Sequence, residues 1–413
     1  MGSNCESTDN DSFNIAGPKD MTDINWGSEE HRRCAAACIL KGTSLHAHEN
    51  NNGLAPPWWE KFNLELFKEL KGHDQFMYAA GDQPRPKSAP AYIIAFRGTM
   101  LKHSKPLLDL YHDIKVVIND LRKCSHFDRV LTEIRGLMVE TTSAAAVWLV
   151  GHSLGAAFAL DVGRHMMIQE NLNFHTFLFN PPQVSMGPAI NWLHLPQEAK
   201  KDLYAFSYFV KCALGKTLMK SHRNRMEEIF EKLLPWEPQL YVHEGDIICQ
   251  GFIDYFEMRQ QVDERFHRVA ESAMMMSYRD MASSVFRENK QQPHLLPTAR
   301  LWKVTKESHN EDPHGLKQWW MSNVALGWSS SGLDPELGKL YRWRPVRRAC
   351  QSGKSIYFEY CLSMILYSYT ILDLIHFVIA IDCSMHTCLY RYEISNMPVH
   401  VVSNVTCGAH EFT

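Results

Sequence analysis

The sequence predicts an α/β fold with a mostly parallel central sheet, helices on both faces and one helical insertion. Short, nearly unbroken apolar runs recur along the chain, and amphipathic helical segments separate them. Parallel strands covered on both faces have this composition, because neither side of such a sheet reaches water. The length of 413 residues, the net charge of −3 and the apolar fraction of 45% fit a large globular core and give no indication of nucleic-acid binding.

The first part of the chain carries helix and loop signals. Residues 1–23 are polar and are predicted to be disordered. Residues 28–40 combine a capping residue, early acids and a small apolar face, which predicts a helix that ends at Gly42. A loop rich in Asn, Gly and Pro follows, and residues 58–70 are predicted to form a second amphipathic helix.

Strands and helices alternate from residue 75 onwards. The predicted strands are 75–79, 91–96, 146–150, 175–179, 240–243 and 299–305, and two predicted helices are 130–142 and 156–169. Residues 188–235 interrupt the alternation as a helical insertion. This insertion is either a lid over a site or a helical pair packed on the sheet. Residues 24–345 are therefore predicted to form one domain.

The segment 151–155, Gly-His-Ser-Leu-Gly, carries the strongest chemical signal. It matches G-x-S-x-G, follows an apolar strand and leads at once into a helix. This strand–turn–helix context is that of a nucleophile elbow, in which glycines let the strand and the helix pack closely around a strained serine. The sequence therefore predicts Ser153 as a nucleophile. The N–H of Leu154, the following residue, is predicted to donate to an oxyanion.

An activated serine needs a base, and the base needs an acid that fixes its tautomer. On such folds the order along the chain is Ser, acid, His. Asp246 follows the predicted strand 240–243 in a Gly turn and is the preferred acid, with Glu244, Asp254 and Asp263 as alternatives.

The loop after the last predicted strand contains two histidines, His309 and His314. His314 is the preferred base because it directly precedes a Gly and a helix with two tryptophans, and His309 is the alternative. His152 lies beside the nucleophile in sequence and is interpreted as a packing residue.

Around these residues the sequence resembles the class 3 (fungal-type) lipase family, in a plant branch of lipase-like α/β-hydrolases. The motifs that carry the resemblance are GHSLG at 151–155, FRGT at 96–99, PPWW at 56–59, FNPP at 179–182 and HGLKQWW at 314–320. The resemblance runs from about Trp26 to Trp343. It implies the same acid and base, and it implies Thr99 as the second oxyanion position. Some members are labelled GDSL esterase/lipase, although this chain contains no GDSL block.

Together these observations predict a serine hydrolase that cleaves carboxylic esters, with lipid or other apolar acyl esters as substrates and a role in lipid metabolism. Neither a metal nor a cofactor is expected. The alternative is a catalytically idle lipase-like scaffold that signals through protein partners. The scattered cysteines and the N-terminus without a signal-type apolar core predict a cytoplasmic protein.

Residues 346–413 form a C-terminal tail beyond the resemblance. Its window 361–381 is long and apolar enough to approach a membrane span, but Asp373 and His376 lie centrally within it. Three interpretations remain open: a membrane anchor, an element docked on the domain, or a non-native extension. Membrane contact through this window or through the insertion is therefore one possible partner interaction. The sequence does not indicate an oligomeric state.

Overall fold

A computed structural model describes most of the predicted domain. The described residues are 12–18, 24–49, 56–70, 75–98, 125–141, 143–183, 220–246, 248–257, 296–304, 312–320 and 329–330. All of them belong to the compact unit Met1–Tyr341, and the second unit, Arg342–Thr413, contains none of them. The predicted tail 346–413 thus lies outside the described residues. No helix within the described ranges is long and apolar enough to cross a membrane.

In the described part of the chain, eight strands form one sheet, in which spatial order equals chain order. The strands are β1 (Leu64–Leu70), β2 (Gln75–Ala80), β3 (Tyr92–Phe96), β4 (Val147–His152), β5 (His175–Phe179), β6 (Gln239–His243), β7 (Arg300–Val304) and the two-residue β8 (Ser329–Ser330). Strands β3 to β7 run parallel, whereas β1, β2 and β8 pair antiparallel at the edges. The predicted strands are thus present, with ends displaced by at most two residues.

Helices cover both faces of the sheet. The described helices are α1 (Phe13–Ala16), α2 (Glu29–Glu49), α3 (Ser125–Glu140), α4 (Leu154–Glu170) and α5 (Lys220–Leu233), and residues 250–257 are also helical. Trp148 and Val150 belong to the apolar cluster that includes α2. Leu149, between them, lies against Gly163 of α4 on the opposite face. This alternation explains why successive residues of β4 are apolar.

The segment 58–70 is not the helix that its amphipathic pattern predicted. Residues Trp58–Phe62 form a 3-10 turn, which Asn63 ends at φ 51°, and β1 follows. β1 pairs antiparallel with β2 through a bulge between Leu66 and Lys68. The strand is formed because β2 offers a ladder of unpaired backbone groups, and this long-range pairing outweighs a weak helical pattern.

Gly42 does not end the helix predicted at 28–40. Helix α2 continues through it to Glu49. A Cβ at position 42 would lie 2.6 Å from Cβ of Trp58. The glycine is therefore needed because the 3-10 turn approaches the helix closely at this position, and not because the helix terminates there.

Part of the segment predicted to be disordered is ordered. Within residues 1–23, the described residues 12–18 contain α1. The ring of Phe13 packs edge-on against Trp58 and Phe62, at centroid distances of 5.2 and 5.8 Å. Phe13, together with Ala16, thus packs a mainly polar segment against the core, and composition alone did not predict these contacts.

The predicted insertion 188–235 is described only from residue 220. Helix α5 turns Met226, Phe230 and Leu233 inward, as its amphipathic pattern predicts, and packs against α4. Residues 188–219 lie outside the described residues, so the choice between a lid and a packed helical pair stays a prediction.

Candidate active site

The segment 151–155 forms a sharp turn between β4 and α4. Ser153 has φ 53° and ψ −128°, a combination that L-residues rarely adopt. A Cβ on Gly155 would collide with the backbone carbonyl of Phe96, and a Cβ on Gly151 would lie 2.6 Å from Cα of Ala156. Both glycines are therefore required by close packing of the helix start against the neighbouring backbone. The strained serine and the flanking glycines are the geometry expected of a nucleophile elbow.

This packing predicts opposite effects for two Gly→Ala substitutions. Gly155→Ala should lower the free energy of unfolding by about 3 kcal/mol or more, because its methyl group meets fixed backbone atoms. Gly136→Ala is the matched control: it lies in α3 with no atom within 4 Å of the added Cβ. It should raise stability by about 0.5–1 kcal/mol. Urea denaturation measures both changes, and equal effects would contradict the packing argument.

Asp246 and His314 form a hydrogen-bonded pair at the carboxyl edge of the sheet. The distance between Oδ2 of Asp246 and Nδ1 of His314 is 2.7 Å. The carboxylate side chain is only 3% exposed, whereas the imidazole is 29% exposed. An ionised carboxylate only accepts, so Nδ1 of His314 carries the proton and Nε2 keeps a free lone pair in the neutral ring. This is the tautomer that a general base for a serine requires.

The Asp246 carboxylate stays ionised despite its burial. Burial raises the pKa of Asp246, but the hydrogen bond and charge of His314, the amide of Asn180 and the N–H of Ile248 together outweigh burial and lower it below its ordinary value. The Ile248 N–H donates to Oδ1 at 3.1 Å, and the Asn180 amide donates to Oδ2 at 2.7 Å. The side chain of Asp246 is therefore ionised at neutral pH, where it accepts a hydrogen bond from Nδ1 of His314.

His152 contacts the loop of His314 and is more than the packing residue that the sequence suggested. Its Nε2 lies 2.8 Å from the carbonyl oxygen of His314, and the two rings are 4.9 Å apart. Since a carbonyl only accepts, Nε2 of His152 donates. Burial and the nearby His314 lower the pKa of His152 to about 3, so this ring stays neutral. His152, the residue before Ser153, thus connects the turn that carries the serine to the loop that carries His314.

The 3-10 turn Lys317–Trp320 holds the histidine loop from its other side. The side-chain amide of Gln318 donates to the carbonyl oxygens of Pro313 and Gly315, at 2.8 and 3.0 Å. The backbone carbonyl of Trp319 accepts from Nε of the buried Arg33 at 2.9 Å. The hydrogen bonds of residues 314–320 therefore fix the conformation of this loop and connect it to helix α2.

Asn180 is a site residue that the sequence analysis did not single out. It follows β5 directly, is fully buried, and contacts Asp246, Pro313 and Trp319 through its side chain. A signal was present, because a polar residue ends a buried parallel strand at the edge where the predicted site residues lie. The Asn-Pro-Pro sequence was interpreted only as part of a family motif.

The oxyanion predictions are described in part. Leu154 is the first residue of α4, where an N–H has no acceptor within the helix. Thr99 lies outside the described residues. Gly98, directly before it, packs on the elbow, since a Cβ there would lie 2.9 Å from Cβ of Ser153. The hydroxyl of Ser153 is buried and makes no hydrogen bond to the described part of the chain.

The alternative acids and base do not take part in this cluster where they are described. Glu244 forms an ion pair with Lys303 at 2.7 Å. Asp254 accepts a hydrogen bond from Gln250 within the helical residues 250–257. The remaining alternatives, Asp263 and His309, lie outside the described residues.

Fold and site together define a class of protein. The described residues form an α/β protein whose mostly parallel sheet is flanked by helices, consistent with an α/β-hydrolase-like fold. The chain is similar to a protein named GDSL esterase/lipase At4g10955 from Arabidopsis thaliana. The two are 27% identical over 347 residues, which cover 76% of this chain and 95% of that protein. No protein-family model matches the chain, and no solved structure matches it significantly.

Proposed function

We propose that this chain is a serine hydrolase that cleaves carboxylic esters through an acyl-serine intermediate, with Ser153, Asp246 and His314 as its triad. One observation carries the proposal. A buried carboxylate holds the Nδ1 proton of His314, and the loop of this histidine is bonded to the strained turn that bears Ser153. An idle serine would have no need of a base whose tautomer is fixed in this way.

In the proposed reaction, Nε2 of His314 takes the proton of Ser153 while Oγ attacks the carbonyl carbon of the ester. Asp246 stabilises the imidazolium that forms. The tetrahedral intermediate then expels the alcohol, which receives the proton from His314, and an acyl-serine remains. Water, deprotonated by the same imidazole, attacks the acyl carbon. The acid is released and Ser153 recovers its proton.

The oxyanion of both tetrahedral intermediates needs preorganised donors. The N–H of Leu154 at the start of α4 is the first proposed donor, helped by the positive end of a 17-residue helix. The residue at position 99 is proposed as the second, since Gly98 lies against the elbow. Each such donor contributes on the order of 3 kcal/mol to lowering the barrier.

The substrate class follows from similarity. The relative that covers most of this chain is named an esterase/lipase, which supports ester hydrolysis in general. The resemblance of 96–99 and 151–155 to class 3 lipases supports a finer proposal, namely that the acyl group is apolar and derives from a lipid. We propose that this reaction takes place in the cytoplasm, on soluble or membrane-associated esters.

Labelling of the wild-type chain with a fluorophosphonate probe tests the proposal, because such probes react with activated serines whatever the natural substrate is. We expect stoichiometric labelling that heat denaturation abolishes, and peptide mass spectrometry should place the label on Ser153. A folded protein that resists the probe would contradict the proposal and favour an idle scaffold. A label on another serine would contradict the assignment of the nucleophile.

A further inference from the structure

We propose that Asn180 is a positioning residue of the triad: its amide holds the Asp246 carboxylate on His314, and Trp319 fixes the orientation of that amide. This inference rests on the proposed function, because it assigns a role at the same site. It concerns a residue that does not touch the reacting atoms.

The hydrogen-bond partners determine which way the Asn180 amide points. The indole Nε1–H of Trp319 lies 2.9 Å from Oδ1 of Asn180 and can only donate, so the amide oxygen must face it. Nδ2 therefore faces the opposite side. There it donates to Oδ2 of Asp246 at 2.7 Å and to the carbonyl oxygen of Pro313 at 3.0 Å. Both amide protons and the amide oxygen are thus engaged, so the group has one orientation.

The backbone places Asn180 where this contact is possible. Its N–H donates to the carbonyl of Tyr241 at 2.8 Å, which extends the β5–β6 ladder by one residue beyond the strand. It adopts φ 48°, a left-handed conformation that Asn tolerates better than most residues. The side chain is then directed away from the strand, and it is completely buried.

The same amide reaches both partners of the acid–base pair. It bonds to the carboxylate of Asp246, and it bonds to the backbone of Pro313, the residue before His314. The distance between the carboxylate and the imidazole is therefore set by one rigid group. Trp319 extends this group towards α2, because its carbonyl accepts from Arg33.

The shared oxygen gives the role a measurable consequence. Asn180 and His314 both donate to Oδ2 of Asp246. If the amide no longer donates, Oδ2 of Asp246 keeps more of its negative charge. This charge then stabilises the imidazolium form of His314. Among the described residues, the titratable groups that contact His314 besides Asp246 are His152, which stays neutral, and Asp312, whose Oδ1 accepts from the backbone N–H of His314 at 3.1 Å. The side chain of Asn180 bonds to Asp246, Pro313 and Trp319, so the change is expected to arise at Asp246.

Asn180→Gly is the sharpest test, since glycine tolerates the left-handed backbone and the substitution removes the donating NH2. The matched control is Asn171→Gly, because Asn171 also has a left-handed backbone (φ 55°) but lies at the end of α4. In the 180 variant, the titration midpoint of the His314 ring, followed by NMR, should rise by about one pH unit or more. The acid limb of the profile of kcat/KM against pH should move to higher pH together with this midpoint. The control should show neither shift.

A further variant keeps the test decisive if the glycine variant folds poorly. Trp319→Phe keeps Asn180 but removes the indole N–H that orients its amide. It should shift the midpoint in the same direction by a smaller amount. An unchanged midpoint in the folded variants would overturn the proposal and leave Asn180 a purely structural residue. The NMR titration, carried out on Ser153→Ala protein, needs no turnover, so it distinguishes this failure from a failure of the proposed function.

Discussion

Ser153→Ala is expected to reduce kcat for a water-soluble p-nitrophenyl ester by about 10⁶-fold, to the level that binding and oxyanion stabilisation alone provide. The reason is that the acyl-serine route requires the Oγ nucleophile, and alanine removes it. The substitution takes away only one oxygen, which makes no hydrogen bond to the described residues. The fold should therefore be unaffected.

The control for this prediction is Ser143→Ala. Ser143 is exposed and precedes the 3-10 turn Ala144–Ala146, which leads into the N-terminal end of β4. Ser153 follows the opposite end of this strand. Its replacement should leave kcat within a factor of about two, as expected for a surface substitution. Circular dichroism should be the same for both variants and the wild type. Hydrolysis by Ser153→Ala at the wild-type rate would exclude this serine as the nucleophile.

The second large effect is expected at the base. His314→Ala should lower kcat by about 10³-fold or more, because Ser153 would lose its proton acceptor and the leaving alcohol its proton donor. His309→Ala, in the same predicted loop, should lose little. Steady-state kinetics of the two variants separate the assignments, and a large loss at position 309 alone would show that the wrong histidine was chosen.

A double variant refines the assignment. If Ser153 and His314 act as one unit, Ser153→Ala combined with His314→Ala should be no slower than Ser153→Ala alone. Additive losses would mean that the histidine acts on another step. Because His152 donates to the His314 carbonyl and not to its ring, replacing the His314 side chain leaves that backbone hydrogen bond in place. The loop should therefore keep its position in these variants.

Strands β3 to β6 could be predicted because each of them contains a short, nearly unbroken apolar run, and this pattern is local. The antiparallel edge strand β1 could not be predicted. Residues 64–70 are half-exposed, with charged and apolar side chains mixed, and they fit a helix as well as a strand. The pairing with β2 decided between them, and pairing is a property of two segments that no single window contains.

The sequence indicated Ser153 through a local pattern, since strand, turn and helix adjoin it. Asp246 and His314 followed from chain order and from turns after strands, and the structure brings these two side chains to 2.7 Å. Their catalytic roles stay predictions. The interpretation of His152 was incomplete, because a side chain that bonds to a carbonyl 162 residues away leaves no trace in its own neighbourhood.

By itself, then, the sequence determined the layered α/β class and the residue at the elbow, because both follow from patterns within about fifteen neighbouring residues. Only the tertiary structure decided what orients the acid. Trp319, Asn180 and Asp246 are far apart in the chain, and their hydrogen bonds exist because parallel strands bring their carboxyl ends to one edge of the sheet. There, burial removes water as a competing partner, so a donor-only indole dictates how a distant amide must point.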